Sequence, residues 1–268
     1  MFRSYYYQSK GEGRKDMDYL HFGKEGGEKL VVLPGLSLKS VMGFAKAIAL
    51  AYASLAKDFD IYLFDHVHEE PQGYTVEGMA EDTLAAFDER GIDRASIVGV
   101  SMGGMVAQEI ALKAPERVNS LVLTSTAMKV EDKGLAVLEE WEAFARQKDI
   151  AGLMASFGKR VYTPSFYERH RDVIFALGAG ATDLDYRNFL ISVEAIKGFD
   201  VEDRVKGIAC PAFVIGAGED RILGSQASRN LAGALSCEFH IYEGYGHAVY
   251  DEAPDYLARV GSFLRRSR

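Results

Sequence analysis

A serine set between glycines is where this chain could do covalent chemistry. In Gly99-Val100-Ser101-Met102-Gly103, an apolar run, Ala95-Ser96-Ile97-Val98, leads in and a helical pattern, Met102 to Lys113, leads out. A G-x-S-x-G at a strand-to-helix junction reads as a nucleophile elbow. Its glycines remove Cβ atoms that would clash at the sharp turn, and a strained serine backbone holds Oγ clear of the sheet end. A free serine hydroxyl is a poor nucleophile near neutral pH, so Ser101 needs an imidazole to take its proton. That imidazole needs an acid to fix its tautomer.

Of the six histidines, His247 stands in Glu243-Gly244-Tyr245-Gly246-His247-Ala248, just past the last strand-like run and before a final helix. The acid is expected after the preceding strand, where Gly218-Glu219-Asp220-Arg221 offers Asp220, with Glu219 as its competitor. Taken singly, each residue has an ordinary explanation: a turn before a helix, a helix-capping aspartate, a loop histidine. Together, three residue types in the order Ser101, Asp220, His247 fall at the carboxyl ends of three different strands, and that coincidence favours catalysis. The charge that would develop on a carbonyl oxygen needs donors. Met102, at a helix N-terminus, supplies one backbone N–H, and Leu36 in Leu33-Pro34-Gly35-Leu36 supplies a second.

Positioning these residues requires alternating strands and helices. Strand-like runs at Leu30 to Leu33, Ile61 to Asp65, Ala95 to Val100, Ser120 to Thr124, Ala212 to Gly216 and Glu238 to Tyr242 alternate with helical patterns at Val41 to Lys57, Val76 to Arg90 and Met102 to Lys113. This predicts an α/β fold with a mostly parallel central sheet and helices on both faces. The segments Tyr5 to Gln8 and Met17 to Phe22, around Gly11-Glu12-Gly13, predict an antiparallel hairpin at the sheet edge. From about Met128 to Lys206 no strand is evident. Amphipathic patterns containing Leu135 to Ala145, Ile150 to Phe157, Phe166 to Leu177 and Tyr186 to Ile196 predict a helical cap. The expected division is a core of residues 1–127 and 207–268 and a cap of residues 128–206 inserted after the sixth strand. Trp141, Phe144, Met154, Phe157 and Phe175 are available to line a cavity beneath it.

A net charge of −8 disfavours a nucleic-acid partner, which needs clustered Lys and Arg. The longest apolar stretch, Val41 to Ala56, is too short for a membrane span and reads as an Ala-rich buried helix. The N-terminus lacks the apolar run of a secretory signal. Cys210 and Cys237 show neither a disulfide framework nor metal spacing and read as reduced thiols of a cytoplasmic protein. His66, His68, Glu69 and Glu70 lack the spacing of a metal site and read as a polar surface loop.

Through Leu33-Pro34-Gly35-Leu36, Gly99-Val100-Ser101-Met102-Gly103-Gly104, Gly218-Glu219-Asp220 and Gly246-His247, the chain from about residue 20 onward resembles the α/β-hydrolase superfamily. The resemblance implies nucleophile, acid and base roles for Ser101, Asp220 and His247. Two departures stand out. Pro34 replaces the histidine that many members carry before the oxyanion residue, and Asp65 to Tyr74 replaces an Arg-Gly-x-Gly-x-Ser turn. The expected activity is hydrolysis of a small carboxylic ester, thioester or lactone, without a cofactor or metal. C–C bond hydrolysis, lyase or perhydrolase chemistry is an alternative, as is a non-catalytic ligand sensor. A small-molecule substrate is expected, and the number of copies in solution is left open.

Overall fold

Side chains alternate along the strands between two cores. In the strand Glu28–Leu33, Val31 and Leu33 join one buried cluster while Leu30 and Val32 join another. Ile97 and Val98, and Leu121 and Val122, divide in the same way. A period of two with apolar residues on both faces dictates a sheet covered on both sides. The computed structural model describes residues 17–267, together with the backbone of Tyr5–Tyr7.

The strands are β1 (Tyr5–Tyr7), β2 (Met17–Gly23), β3 (Glu28–Leu33), β4 (Phe59–Val67), β5 (Ala95–Val100), β6 (Val118–Thr124), β7 (Ala212–Ala217) and β8 (Glu238–Tyr242). They form one sheet in the order β1-β2-β4-β3-β5-β6-β7-β8. β1 and β2 run antiparallel to their neighbours, and β3 to β8 pair in parallel. The edge hairpin is present, although its turn at Gly11-Glu12-Gly13 lies outside the described residues. The helices are α1 (Ala45–Ala51), α2 (Val76–Glu89), α3 (Met102–Lys113), α4 (Asp132–Arg146), α5 (Ile150–Val161), α6 (Pro164–Gly178), α7 (Asp183–Lys197), α8 (Ser225–Leu235), α9 (Val249–Glu252) and α10 (Tyr256–Arg266). α2, α3 and α8 bury residues against one sheet face, and α10 against the other.

Between β6 and β7 the chain makes α4 to α7. Local chemistry sets where they start: Asp149 accepts from the Gly152 amide at 2.9 Å, and Thr182 and Asp185 form a reciprocal capping box at the head of α7. Pro164 occupies the first turn of α6 behind the N-cap Thr163.

One expectation needs correction. Val41 to Lys57 is not a single buried helix but a 3-10 turn (Val41–Phe44), α1, and a second 3-10 segment (Tyr52–Lys57). Gly43 weakens the first turn. In the second segment Tyr52 and Leu55, three apart, bury the same side, which suits three residues per turn. Between them α1 buries only Ala45 and leaves Leu50 77% exposed.

Among the described residues no helix is long and apolar enough to cross a membrane. Cys210 and Cys237 are free, and burial pushes both thiols up to about 11.

A Cβ on Gly103 would collide with the Leu33 carbonyl oxygen and lie 2.5 Å from that of Pro34, whereas one on Gly233 of α8 would meet open space. Gly103→Ala is therefore expected to lower stability by about 3 kcal/mol or more. Gly233→Ala should leave it unchanged or raise it by about 0.5 kcal/mol. Urea unfolding of the two variants beside wild type checks both.

Candidate active site

Ser101 is the one residue between the end of β5 and the start of α3, with φ 52° and ψ −116°. A positive φ at a non-glycine residue is strained, and the neighbours show why it persists. Ser101 N–H donates to the Thr124 carbonyl at 2.9 Å. Its own carbonyl accepts from the Gly104 and Met105 amides at 2.9 and 3.2 Å and from Thr126 Oγ1 at 2.8 Å. A Cβ on Gly99 would stand 2.5 Å from the Gly103 carbonyl oxygen, and one on Gly104 would stand 2.7 Å from the Thr126 Cβ. The turn therefore closes only with glycine at these positions.

β7 and β8 are neighbours in the sheet, so the loops that leave their carboxyl ends lie side by side. Asp220 and His247 come from these two loops and are each 3% exposed. His247 Nδ1 donates to Asp220 Oδ2 at 2.8 Å, which leaves Nε2 of the neutral ring as the acceptor. Asp220 Oδ1 accepts from the Ile222 and Leu223 amides at 2.8 and 3.0 Å. Burial works against ionisation of this carboxyl, but its interactions with His247 and the two amides outweigh it. Asp220 is held below the usual aspartate range. Glu219 is exposed and lies 3.8 Å from Arg221, so the sequence's two candidate acids separate cleanly. The main chain of His247 is tied down by Ser125, itself at φ 46°, whose Oγ donates to the His247 carbonyl at 2.6 Å.

Ser101 and His247 line one cavity together with Gly35 and Leu36. Met102 is fully buried at the head of α3, where the first amides of a helix have no partner within it. Gly35 allows the loop after β3 to approach: a Cβ there would sit 3.2 Å from the Ser101 Cβ.

The end of β4 holds this loop from the side. His66 Nε2 lies 3.3 Å from the Gly35 carbonyl oxygen, and since a carbonyl only accepts, Nε2 carries the proton. A histidine from β4 thus reaches the loop in which Pro34 stands. Pro34 and His66 stand far apart in the sequence, and nothing in it links the two departures.

The segment after His66 is the polar surface loop expected at His68 and Glu69, which are exposed, but not at Glu70. His68 pairs with Asp18 at 3.0 Å, and Glu70 is 2% exposed and accepts from Ser192 Oγ of α7 at 2.7 Å. Asn188, also on α7, donates to the His68 carbonyl at 2.7 Å. Burial of a carboxylate requires such partners, and α7 provides them.

The cavity contains about 480 Å³ of empty space, its open mouth included. Leu138, Trp141, Phe157, Val161 and Ile196 wall it from α4, α5 and α7. Trp141 donates its indole N–H to Ser156 Oγ at 3.1 Å, and Ser156 donates to Glu140 at 2.6 Å. Of the residues expected to line it, Trp141 and Phe157 do so, with ring centroids 5.1 Å apart. Met154 is buried in the core instead, and Phe144 and Phe175 pack half-buried against it. Tyr250, two positions past the loop of His247, lines the cavity and was not anticipated.

A buried imidazole fixed at Nδ1 by a carboxylate, facing a cavity shared with a strained serine, can support nucleophilic acyl transfer. The model of the alpha/beta hydrolase fold family matches residues 29–254. The chain is 26% identical over 152 residues to 3-oxoadipate enol-lactonase 2 of Acinetobacter baylyi, a match covering 56% of this chain and 55% of that protein. It is 28% identical over 233 residues to the protein named "Putative carbamate hydrolase RutD" of Rhizobium rhizogenes, across 79% of this chain and 85% of the other. Its fold matches the crystal structure of the enol-lactonase from Burkholderia xenovorans LB400 with a TM-score of 0.81 at 24% identity, covering 94% of this chain and 97% of that one. With the family model spanning most of its length, this chain belongs to the alpha/beta hydrolase fold family.

Proposed function

We propose that this protein is a serine hydrolase that cleaves a small carboxylic ester, thioester or lactone through an acyl-enzyme. The observation that carries the reading is the buried His247–Asp220 pair, 2.8 Å apart, on the wall of the cavity that Ser101 also lines. In the reading, Ser101 Oγ attacks the substrate carbonyl and His247 Nε2 takes its proton. Asp220 keeps the ring in the required tautomer and stabilises the imidazolium. The tetrahedral oxyanion is held by the amides of Met102 and Leu36, each such donor being worth about 3 kcal/mol. Collapse returns the proton to the leaving group, and water then repeats the sequence on the acyl-enzyme. Helices α4 to α7, residues 128–206 with their flanks, act as a cap over the core and keep bulk water from the site. No cofactor or metal takes part.

The names of the relatives, an enol-lactonase and a carbamate hydrolase, support acyl transfer to water and leave the leaving group open. Ser101→Ala should reduce turnover of p-nitrophenyl esters about a thousandfold or more with the fold intact, as read by circular dichroism. Undiminished hydrolysis would refute Ser101 as nucleophile.

Two further outcomes follow from the site's electrostatics and from its loop. Because Asp220 binds its proton more weakly folded than unfolded, it adds stability that is present above about pH 4 and lost as pH falls through its folded value. Asp220→Asn should therefore cost about 2 kcal/mol at pH 7, and the gap to wild type should close on acidification below pH 4, measured by urea unfolding across pH. His66→Phe keeps a ring but removes the donor to Gly35. Turnover should fall about tenfold with little change in KM or melting temperature, the signature of a loop that matters chiefly in the transition state.

A further inference from the structure

The cavity is apolar to a degree that the proposed chemistry does not require. Apart from Ser101 and His247, the only polar side chains on its wall among the described residues are Tyr250, with its hydroxyl, and Trp141, whose indole N–H is already committed to Ser156. Among the described residues no Lys or Arg lines it. Three cations on the surrounding elements make other contacts: Lys133 donates to the Asp220 carbonyl at 2.9 Å, Arg221 to that of Lys159 at 3.3 Å, and Arg160 to Glu140 at 2.6 Å.

Two acids stand behind the wall. Asp220 stands behind His247, and burial first, then Asp251, keeps the Tyr250 hydroxyl protonated. A carboxylate entering this space would lose its water, find no counter-charge and face the negative potential of Asp220.

From this we infer that the site selects uncharged, apolar acyl groups of modest size and excludes substrates whose acyl chain carries a free carboxylate. Binding here comes from removing CH₂ groups from water against Leu138, Trp141, Phe157 and Ile196. The space between these side chains is small, which fits a short ester or lactone better than a long-chain lipid. Tyr250 is left to donate one hydrogen bond, enough to orient a neutral ester oxygen. The inference rests on the hydrolase reading for its chemistry, but the ligand class rests on the wall alone.

The chain's single tryptophan is Trp141, so its emission, excited at the red edge beyond tyrosine absorption, reports occupancy of this cavity without any turnover. The probes are ethyl pentanoate and monoethyl succinate, which are similar in size and differ by a terminal carboxylate. Wild type should hydrolyse the neutral ester with a kcat/KM at least a hundredfold higher. Titration of Ser101→Ala with ethyl pentanoate should shift Trp141 emission to saturation, and monoethyl succinate should leave it unmoved. Leu223→Lys, which puts a cation on a half-buried part of the wall, should narrow the discrimination at least tenfold. Equal use of both esters, a preference for the monoester, or saturation of the Trp141 signal by both would overturn the inference while leaving the hydrolase standing. If neither ester is turned over but only the neutral one saturates Trp141, the ester part of the hydrolase reading fails and the ligand class holds. If neither moves the emission, the ligand class fails.

Discussion

Main chain pressed against main chain, where α3 begins beside the end of β3, is the contact on which the site depends. Gly103 lies so close to the Leu33 and Pro34 carbonyls that any Cβ would enter them, and Gly99 is as tight against Gly103. That approach forces Ser101 into a conformation costing about 1–3 kcal/mol. Four hydrogen bonds to its own amide and carbonyl groups, and the burial of all of α3 but its last two residues, offset the strain. The serine's location is therefore set by backbone contacts and is indifferent to side-chain rotamers. Residues on the cavity wall can vary without moving it, which is how one fold serves many substrates.

A second constraint ties the loops of Asp220 and His247 to the helices between β6 and β7. The Ala248 amide donates to the Val161 carbonyl at 3.0 Å, one residue past His247. Thr163, at the head of α6, gives both its amide and its hydroxyl to Glu252. Lys133 of α4 and Arg221 close the same seam around Asp220. At the far end α7 is docked on the segment after β4 through Glu70, Ser192 and Asn188. Movement of these helices as one body would break all of these bonds together, with the loops of Asp220 and His247 disturbed in the same event. Positioning of the imidazole and closure of the cavity are thus one structural property rather than two.

The parts of this arrangement legible in the sequence are those governed by local or periodic rules. Alternating apolar residues in β3, β5, β6 and β7 report a sheet buried on both faces, and Gly-x-Ser-x-Gly reports a steric demand that only its own neighbours create. Asp220 was separable from Glu219 only by position in the motif, and burial and the Ile222 and Leu223 amides make the difference physical. What stayed hidden depends on partners distant in sequence. Glu70 looks solvated until Ser192, 122 residues later, is placed against it. His66 looks like any loop histidine until the sheet order brings β4 beside β3 and its ring under Gly35. An aromatic in an amphipathic helix carries no mark of which way the bundle will turn it, so Trp141 and Phe144, three residues apart on α4, end in the cavity wall and half-buried against the core.

The same distant packing decides the electrostatics. On the proposed mechanism, attack creates an oxyanion and an imidazolium together, a charge pair with no net charge, so the site needs dipoles and one fixed anion rather than a cation. Asp220 meets the second need because its two backbone amides and His247 hold it ionised despite burial. The amides at the head of α3 and in the loop after β3 meet the first, and in an apolar surround each is worth more than it would be in water. A lysine or arginine on the wall would stabilise the oxyanion further, but it would also pay for its own burial and oppose the imidazolium. The absence of one among the described lining residues is therefore consistent with the transition state as much as with the ligand. An apolar wall strengthens the oxyanion's hydrogen bonds and repels charged acyl groups by one and the same low polarity.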